Sequence, residues 1–182
     1  LKNLSLLIMS LFFYSWGEPK FVLMMLLSAT VAYLGGLLMA QFKAQGKMRA
    51  EKSCYIVTVV FLVSCLFVFK YFNFFVDGFV SLLSLFGIQM GRETLDIILP
   101  VGISFYTFQA LSYSIDVYRG KIKACSDPIR FFAFVSFFPA LVAGPIERAQ
   151  NLLPQFGEVK KFEYHNGIEG VFRVLYGLFL KI

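Results

Sequence analysis

The sequence predicts an all-α polytopic membrane protein, a helical bundle that includes a re-entrant or broken helix. Three observations carry that prediction. Of the 182 residues, 58% are hydrophobic and only 15% charged, where a soluble domain has about a quarter charged residues. The apolar residues gather into runs whose length compares with a bilayer. The basic residues, which leave the chain at +6, fall between those runs, as in KAQGKMRAEK (43–52) and RGKIKACSDPIR (119–130). An excess of Lys and Arg in loops orients membrane helices. The alternation of basic and aromatic residues that marks a nucleic-acid module is missing, so no nucleic acid is expected as a partner.

The elements follow in order. The first apolar run predicts a span over 4–16, whose Tyr14 and Trp16 suit an interfacial belt. Residues 21–40 are about one bilayer thickness as a helix. The loop 43–52, with four cations against Glu51, is expected in the cytoplasm, and 54–72 forms the next span. Residues 76–86 are too short to cross and are expected along the interface. The acidic GIQMGRETLD (87–96) is placed outside, and 97–118 returns inward. The run 131–143, interrupted by Pro139 and closed by Gly144-Pro145, reaches only about 20 Å. It therefore reads as re-entrant or broken, a form that needs surrounding protein to satisfy its backbone. A further apolar helix, 168–182, begins after a polar stretch and runs to the last residue. With no Met at the first position, this pattern suggests a piece of a longer protein.

The span 97–118 holds an unusual line of polar groups. Taking 100° per residue from Tyr106, Gly102, Tyr106, Gln109, Tyr113 and Asp116 fall within an arc of about 80°. Burying an amide, two phenols and a carboxylate against lipid costs several kcal/mol unless partners are found. The stripe must face protein or water, either as interhelical hydrogen bonds that glue the bundle or as the wall of a cavity. Asp116 and Arg119 stand three apart and could pair at the membrane edge, or Arg119 could simply snorkel. Gly144-Pro145 places Glu147 and Arg148 just beyond a helix break, either as a plain loop exit or as part of a cavity lining.

Other chemistry is excluded. Gly102-Ile103-Ser104 continues into Phe105-Tyr106 and is no GxSxG nucleophile elbow. Phosphate-loop and dinucleotide fingerprints are absent. Cys54, Cys65 and Cys125 have no CxxC spacing, and Cys54 and Cys65 on one helix would lie about 16 Å apart, so no metal or disulfide is expected. His165, the sole histidine, falls in the polar KFEYHNGIEG and reads as solvated or capping.

The strings ILPVGISFYTFQALSYSIDVYRG (98–120) and FFAFVSFFPALVAGPIER (131–148), with FKYFNFF (69–75) and GLFLKI (177–182), resemble the membrane-bound O-acyltransferase (MBOAT) family. The similarity is nearest its bacterial alginate O-acetyltransferase and teichoic-acid D-alanyl transfer branch and is densest over 97–156. The resemblance implies part of a larger funnel-shaped membrane fold in the bacterial inner membrane. It implies transfer of an acyl group from acetyl-CoA or an acyl-carrier thioester, a co-substrate and not a bound cofactor, to hydroxyls of an extracytoplasmic polysaccharide or wall polymer. Partners would then be the bilayer, the donor or its carrier protein, and polysaccharide-modifying proteins. The family base is an intramembrane histidine lying downstream of this chain. His165 does not match it, so no catalytic residue and no independent turnover are expected here. Tyr106, Gln109, Tyr113 and Asp116 would line or brace the acyl path, with Arg119, Pro145, Glu147 and Arg148 near its cytoplasmic mouth. A transporter could use the same polar stripe and broken helix, although transporters pair such breaks and only one is found. A non-catalytic scaffold of a polysaccharide export complex is the third reading.

Overall fold

The computed structural model describes residues 2–17, 19–85, 102–141, 144–145, 147–158 and 163–181. These form eight helices: α1 (Lys2–Gly17), α2 (Val22–Ala44), α3 (Met48–Leu85), α4 (Ile103–Tyr118), α5 (Pro128–Val135), α6 (Phe138–Leu141), α7 (Ala149–Gln155) and α8 (Tyr164–Lys181). Among the described residues there is no strand. A single 3₁₀ turn, Pro19–Phe21, joins α1 to α2. Two stretches, Pro19–Ala44 and Met48–Tyr71, are long and apolar enough to cross a membrane, with mean hydropathy 2.1 and 2.2. They contain the spans expected at 21–40 and, to within a residue, 54–72.

The centre of the bundle is α4, ten of whose 16 residues are buried. Its main partner is the small-residue face of α2: Ser28, Ala29, Ala32, Gly35, Gly36 and the slender Met39 are all buried. Without a hydrophobic drive between helices in lipid, close backbone approach is what holds such faces together. Gly36 meets Tyr113 of α4, while Gly35 meets Thr58 of α3. Two adjacent glycines thus admit two different neighbours.

These contacts also fix direction. Gly36 lies opposite Tyr113, and Lys43 reaches the backbone at Gly120, so α2 and α4 run parallel. Phe21 meets Phe69 at 6.1 Å, and the Cys54 thiol donates to the Gly35 carbonyl at 3.6 Å, so α3 runs antiparallel to α2. Tyr55 stacks on Tyr118 with ring centroids 4.2 Å apart. The two basic loops therefore share one end of the bundle. Meanwhile α3 turns its apolar residues outward, with Val57 67% and Phe74 72% exposed. Such a surface suits lipid.

The broken segment begins with Asp127 as N-cap, its side chain accepting from Arg130 N at 3.2 Å, and Pro128 in the first turn. The helix stops at Val135, resumes at Phe138 and reaches Leu141 beside Gly102. The break falls at Ser136-Phe137, ahead of the expected interruption at Pro139. The reason is local: Pro139 has no N–H for the Val135 carbonyl, and its ring would clash there. From Ala149 the chain descends in α7. Arg130 then clamps the end of α7, its Nε and Nη2 donating to Leu153 O at 3.1 and 2.8 Å and Nη2 to Pro154 O at 3.3 Å. Residues 128–155 thus leave and return at the same, basic end of the bundle.

Several boundaries differ from expectation. α3 continues unbroken past Phe72 and through Gly78 to Leu85, since no Pro falls in 73–85 to break it. Residues 76–85 are therefore one helix with the span before them. Gly102 has φ 78° and caps α4 from outside, so it leaves the stripe. α7 lies inside the stretch expected to be polar loop, and α8 begins at Tyr164, not at 168. The features expected at 86–101, including the acidic loop, and residues 142–143 and 182 lie outside the described residues.

Candidate functional site

The stripe on α4 is buried whole: Tyr106 is 1% exposed, Gln109 2%, Tyr113 0% and Asp116 5%. Its members nevertheless do different things. Tyr113 is satisfied and packed. Its hydroxyl accepts from Cys125 N at 2.9 Å, and its ring lies 4.5 Å from that of Phe131. It locks α4 to the basic loop and to α5. Gln109 Oε1 and Asp116 Oδ2, by contrast, have no hydrogen-bond partner among the described residues. The same holds for Thr107 Oγ1, which lies about 100° from Tyr106 and so outside the stripe. Polar oxygens buried without a donor are costly.

Beside the stripe lies a cleft of about 550 Å³ lined by Phe108, Leu111, Ser112, Ile115, Asp116, Arg119, Lys121 and Arg148. On a 100° wheel this face is centred about 160° from Tyr106. Asp116 stands at the border between stripe and cleft. The cleft brings Asp116, Arg119 and Arg148 together, as the sequence suggested. It does not include Tyr106, Gln109, Tyr113, Pro145 or Glu147. Arg119 and Asp116 form no ion pair. Asp116 is buried at the edge of the cleft, and Arg119 is exposed at the helix end, its N–H donating to Ile115 O at 2.9 Å. Ser112 braces the far wall, its hydroxyl accepting from Ala149 N at 3.0 Å.

A smaller cavity of about 320 Å³ opens at the basic end between the 122–127 loop, Arg130 and α7. Cys125 lines it, and burial pushes this thiol above its ordinary 9.0. A raised thiol pKa means less thiolate at any pH below it. With every cysteine of the full-length protein except Cys125 replaced by Ser, the maleimide labelling rate of the folded protein is expected to rise with a midpoint above 9.0. The unfolded chain should titrate lower. A folded midpoint at or below that of the unfolded chain would contradict the burial.

Sequence reasoning missed Arg130 and the Gly35-Gly36 pair. A glycine doublet inside an otherwise apolar run was a readable sign of close helix approach. Arg130, by contrast, clamps α7 across 23 residues of chain, which no local pattern announces. His165 is exposed on α8, and α8 meets none of the other described helices.

The described residues thus form a helical bundle with two membrane-length helices and a central helix carrying buried polar groups. Comparison with known proteins finds relatives along the whole chain. The chain is 40% identical over its whole length to the probable alginate O-acetylase AlgI of Pseudomonas aeruginosa, covering 34% of that protein. It is 35% identical over its whole length to the probable alginate O-acetylase AlgI of Azotobacter vinelandii, covering 36% of it. To the peptidoglycan O-acetyltransferase of Helicobacter pylori it is 31% identical over 99% of its length, covering 38%. The resemblance carried by the strings at 97–156 therefore holds along the whole chain. The chain spans about a third of the length of these curated relatives. No family model and no solved structure matches it.

Proposed function

We propose that this protein is a multi-pass enzyme of the bacterial cytoplasmic membrane that moves an acetyl group onto hydroxyls of an extracytoplasmic polysaccharide or wall polymer. The observation that carries this reading is the whole-length similarity to proteins named for O-acetyl transfer to two different polymers, alginate and peptidoglycan. The names share the chemistry and differ in the acceptor. Co-localisation of both basic loops at one end of the bundle supports placing that end in the cytoplasm. The out-and-back path of residues 128–155 supports a re-entrant segment, part of a larger funnel.

Transfer to a hydroxyl needs a base, a place for developing oxyanion charge, and exclusion of the water that would hydrolyse the donor. In this reading Tyr106, Gln109 and Asp116 line the acyl path. Tyr113 braces it. Arg119, Pro145, Glu147 and Arg148 frame its cytoplasmic mouth. The donor is a thioester of coenzyme A or of a carrier protein, acting as co-substrate. The base comes from residues beyond the third of the relatives' length covered here, because exposed His165 has no dry pocket in which to work. Partner proteins pass the acetyl group to the polymer.

The test is disruption of the whole reading frame in its native bacterium, followed by NMR measurement of O-acetyl groups on the exopolysaccharide and the cell wall. Loss of O-acetyl from one polymer, restored by the intact gene, is the expected result. Unchanged acetylation of both would overturn the reading.

A further inference from the structure

We propose that the cleft beside α4 binds an anionic phospholipid whose headgroup carries a hydroxyl, as phosphatidylglycerol does. The inference rests on the membrane placement above but not on acyl transfer. Three features of the cleft decide its ligand. Arg119, Lys121 and Arg148 all line it, and none of these side chains makes an ion pair with a described residue. Basic pockets between helices on the cytoplasmic side are suited to lipid phosphates, and two of the three cations are guanidinium forks that match phosphate oxygens.

Its wall is apolar. Phe108, Leu111 and Ile115 follow one face of α4 inward from Arg119, and Phe108 remains 41% exposed. From Arg119 to Phe108 is eleven residues, about 16 Å of helix. A free phosphate or a soluble phosphoester would leave this wall wet, whereas an acyl chain covers it. The cleft therefore asks for an amphiphile with its charge at the rim.

Its seat is Asp116. This carboxylate is 5% exposed, lines the cleft, and has an oxygen without a hydrogen-bond partner among the described residues. A carboxylate so placed calls for a donor. Against three cations it leaves the cleft net positive, which favours a ligand of net negative charge. A glycerol headgroup supplies the donor hydroxyl and keeps the single negative phosphate. An ethanolamine headgroup would also donate to Asp116, but as a net neutral lipid it leaves the rim uncompensated.

The test uses the full-length protein in detergent, titrated with phosphatidylglycerol, phosphatidate, phosphatidylethanolamine or phosphatidylcholine and read by native mass spectrometry. Phosphatidylglycerol should be retained in preference to the other three. Arg119→Gln and Arg148→Gln should each lower its retention by about fivefold, the weight of one interfacial cation. Asp116→Asn should narrow the preference for phosphatidylglycerol over phosphatidate, which has no headgroup hydroxyl. Equal retention of all four lipids would overturn the proposal, as would displacement of bound lipid by inorganic phosphate alone. Should the variants fail to fold, a phosphatidylglycerol with a photoactivatable acyl chain decides the matter in the unaltered protein. Cross-links within 108–115 support the site, and cross-links only elsewhere refute it. No readout depends on acetyl transfer, so failure here would leave the enzymatic reading standing.

Discussion

Replacing Gly36 by Leu is expected to prevent α2 from seating on α4 and to destabilise the full-length protein by about 3 kcal/mol, the upper end of ordinary overpacking. A Cβ at Gly36 would stand 2.6 Å from both Cε1 and Oη of Tyr113. The ring cannot swing aside cheaply. Its hydroxyl accepts the Cys125 N–H, and its face is packed on Phe131. The backbones must separate instead, and separation opens the contact that orders both basic loops. Gly170→Leu is the control, since a Cβ there meets nothing within 4 Å. Denaturation in mixed micelles, followed by tryptophan fluorescence or helical ellipticity, measures both variants. Equal shifts in the two would mean that the α2–α4 contact is not close.

The same contact shows which parts of the fold were legible in the sequence. Apolar length located α2 and the first part of α3, because crossing a bilayer is a one-dimensional requirement. Helical periodicity put Tyr106, Gln109, Tyr113 and Asp116 on one buried line. What periodicity could not say is what each of them meets. The partner of Tyr113 is a backbone N–H twelve residues downstream, placed there by the turn at Gly120 with φ 72°. The cleft was half legible: Asp116, Arg119 and Arg148 were expected near one mouth. Its apolar wall was hidden, since Phe108, Leu111 and Ile115 look like any lipid-facing residues until α7 is set beside them. α3 outran its expected end at Phe72 because bilayer length bounds a span but not a helix, and no Pro follows to break it.

The stripe was left open between glue and path, and two substitutions should separate these roles residue by residue. Tyr113→Phe removes the acceptor of a buried N–H and leaves that donor unsatisfied, at a cost of about 1–3 kcal/mol. Its effect should fall on stability, and acetyl transfer by the folded fraction should be nearly unchanged. Gln109→Leu should do the reverse. Gln109 Oε1 has no hydrogen-bond partner among the described residues, so an apolar side chain of similar size loses little there and is expected to leave stability unchanged or slightly raised. If that oxygen faces the acyl path, removing it takes away a polar group at the reacting ligands. Transfer should then fall about 10²-fold, as when an oriented polar group near the reacting centre is lost. Melting of each full-length variant in detergent, together with O-acetyl content in a complemented disruption strain, reads both quantities. Loss of stability without loss of transfer in Gln109→Leu would make Gln109 interhelical glue. Full stability with full transfer would remove Gln109 from the path and leave Asp116, at the border of the cleft, as the polar group still to be tested.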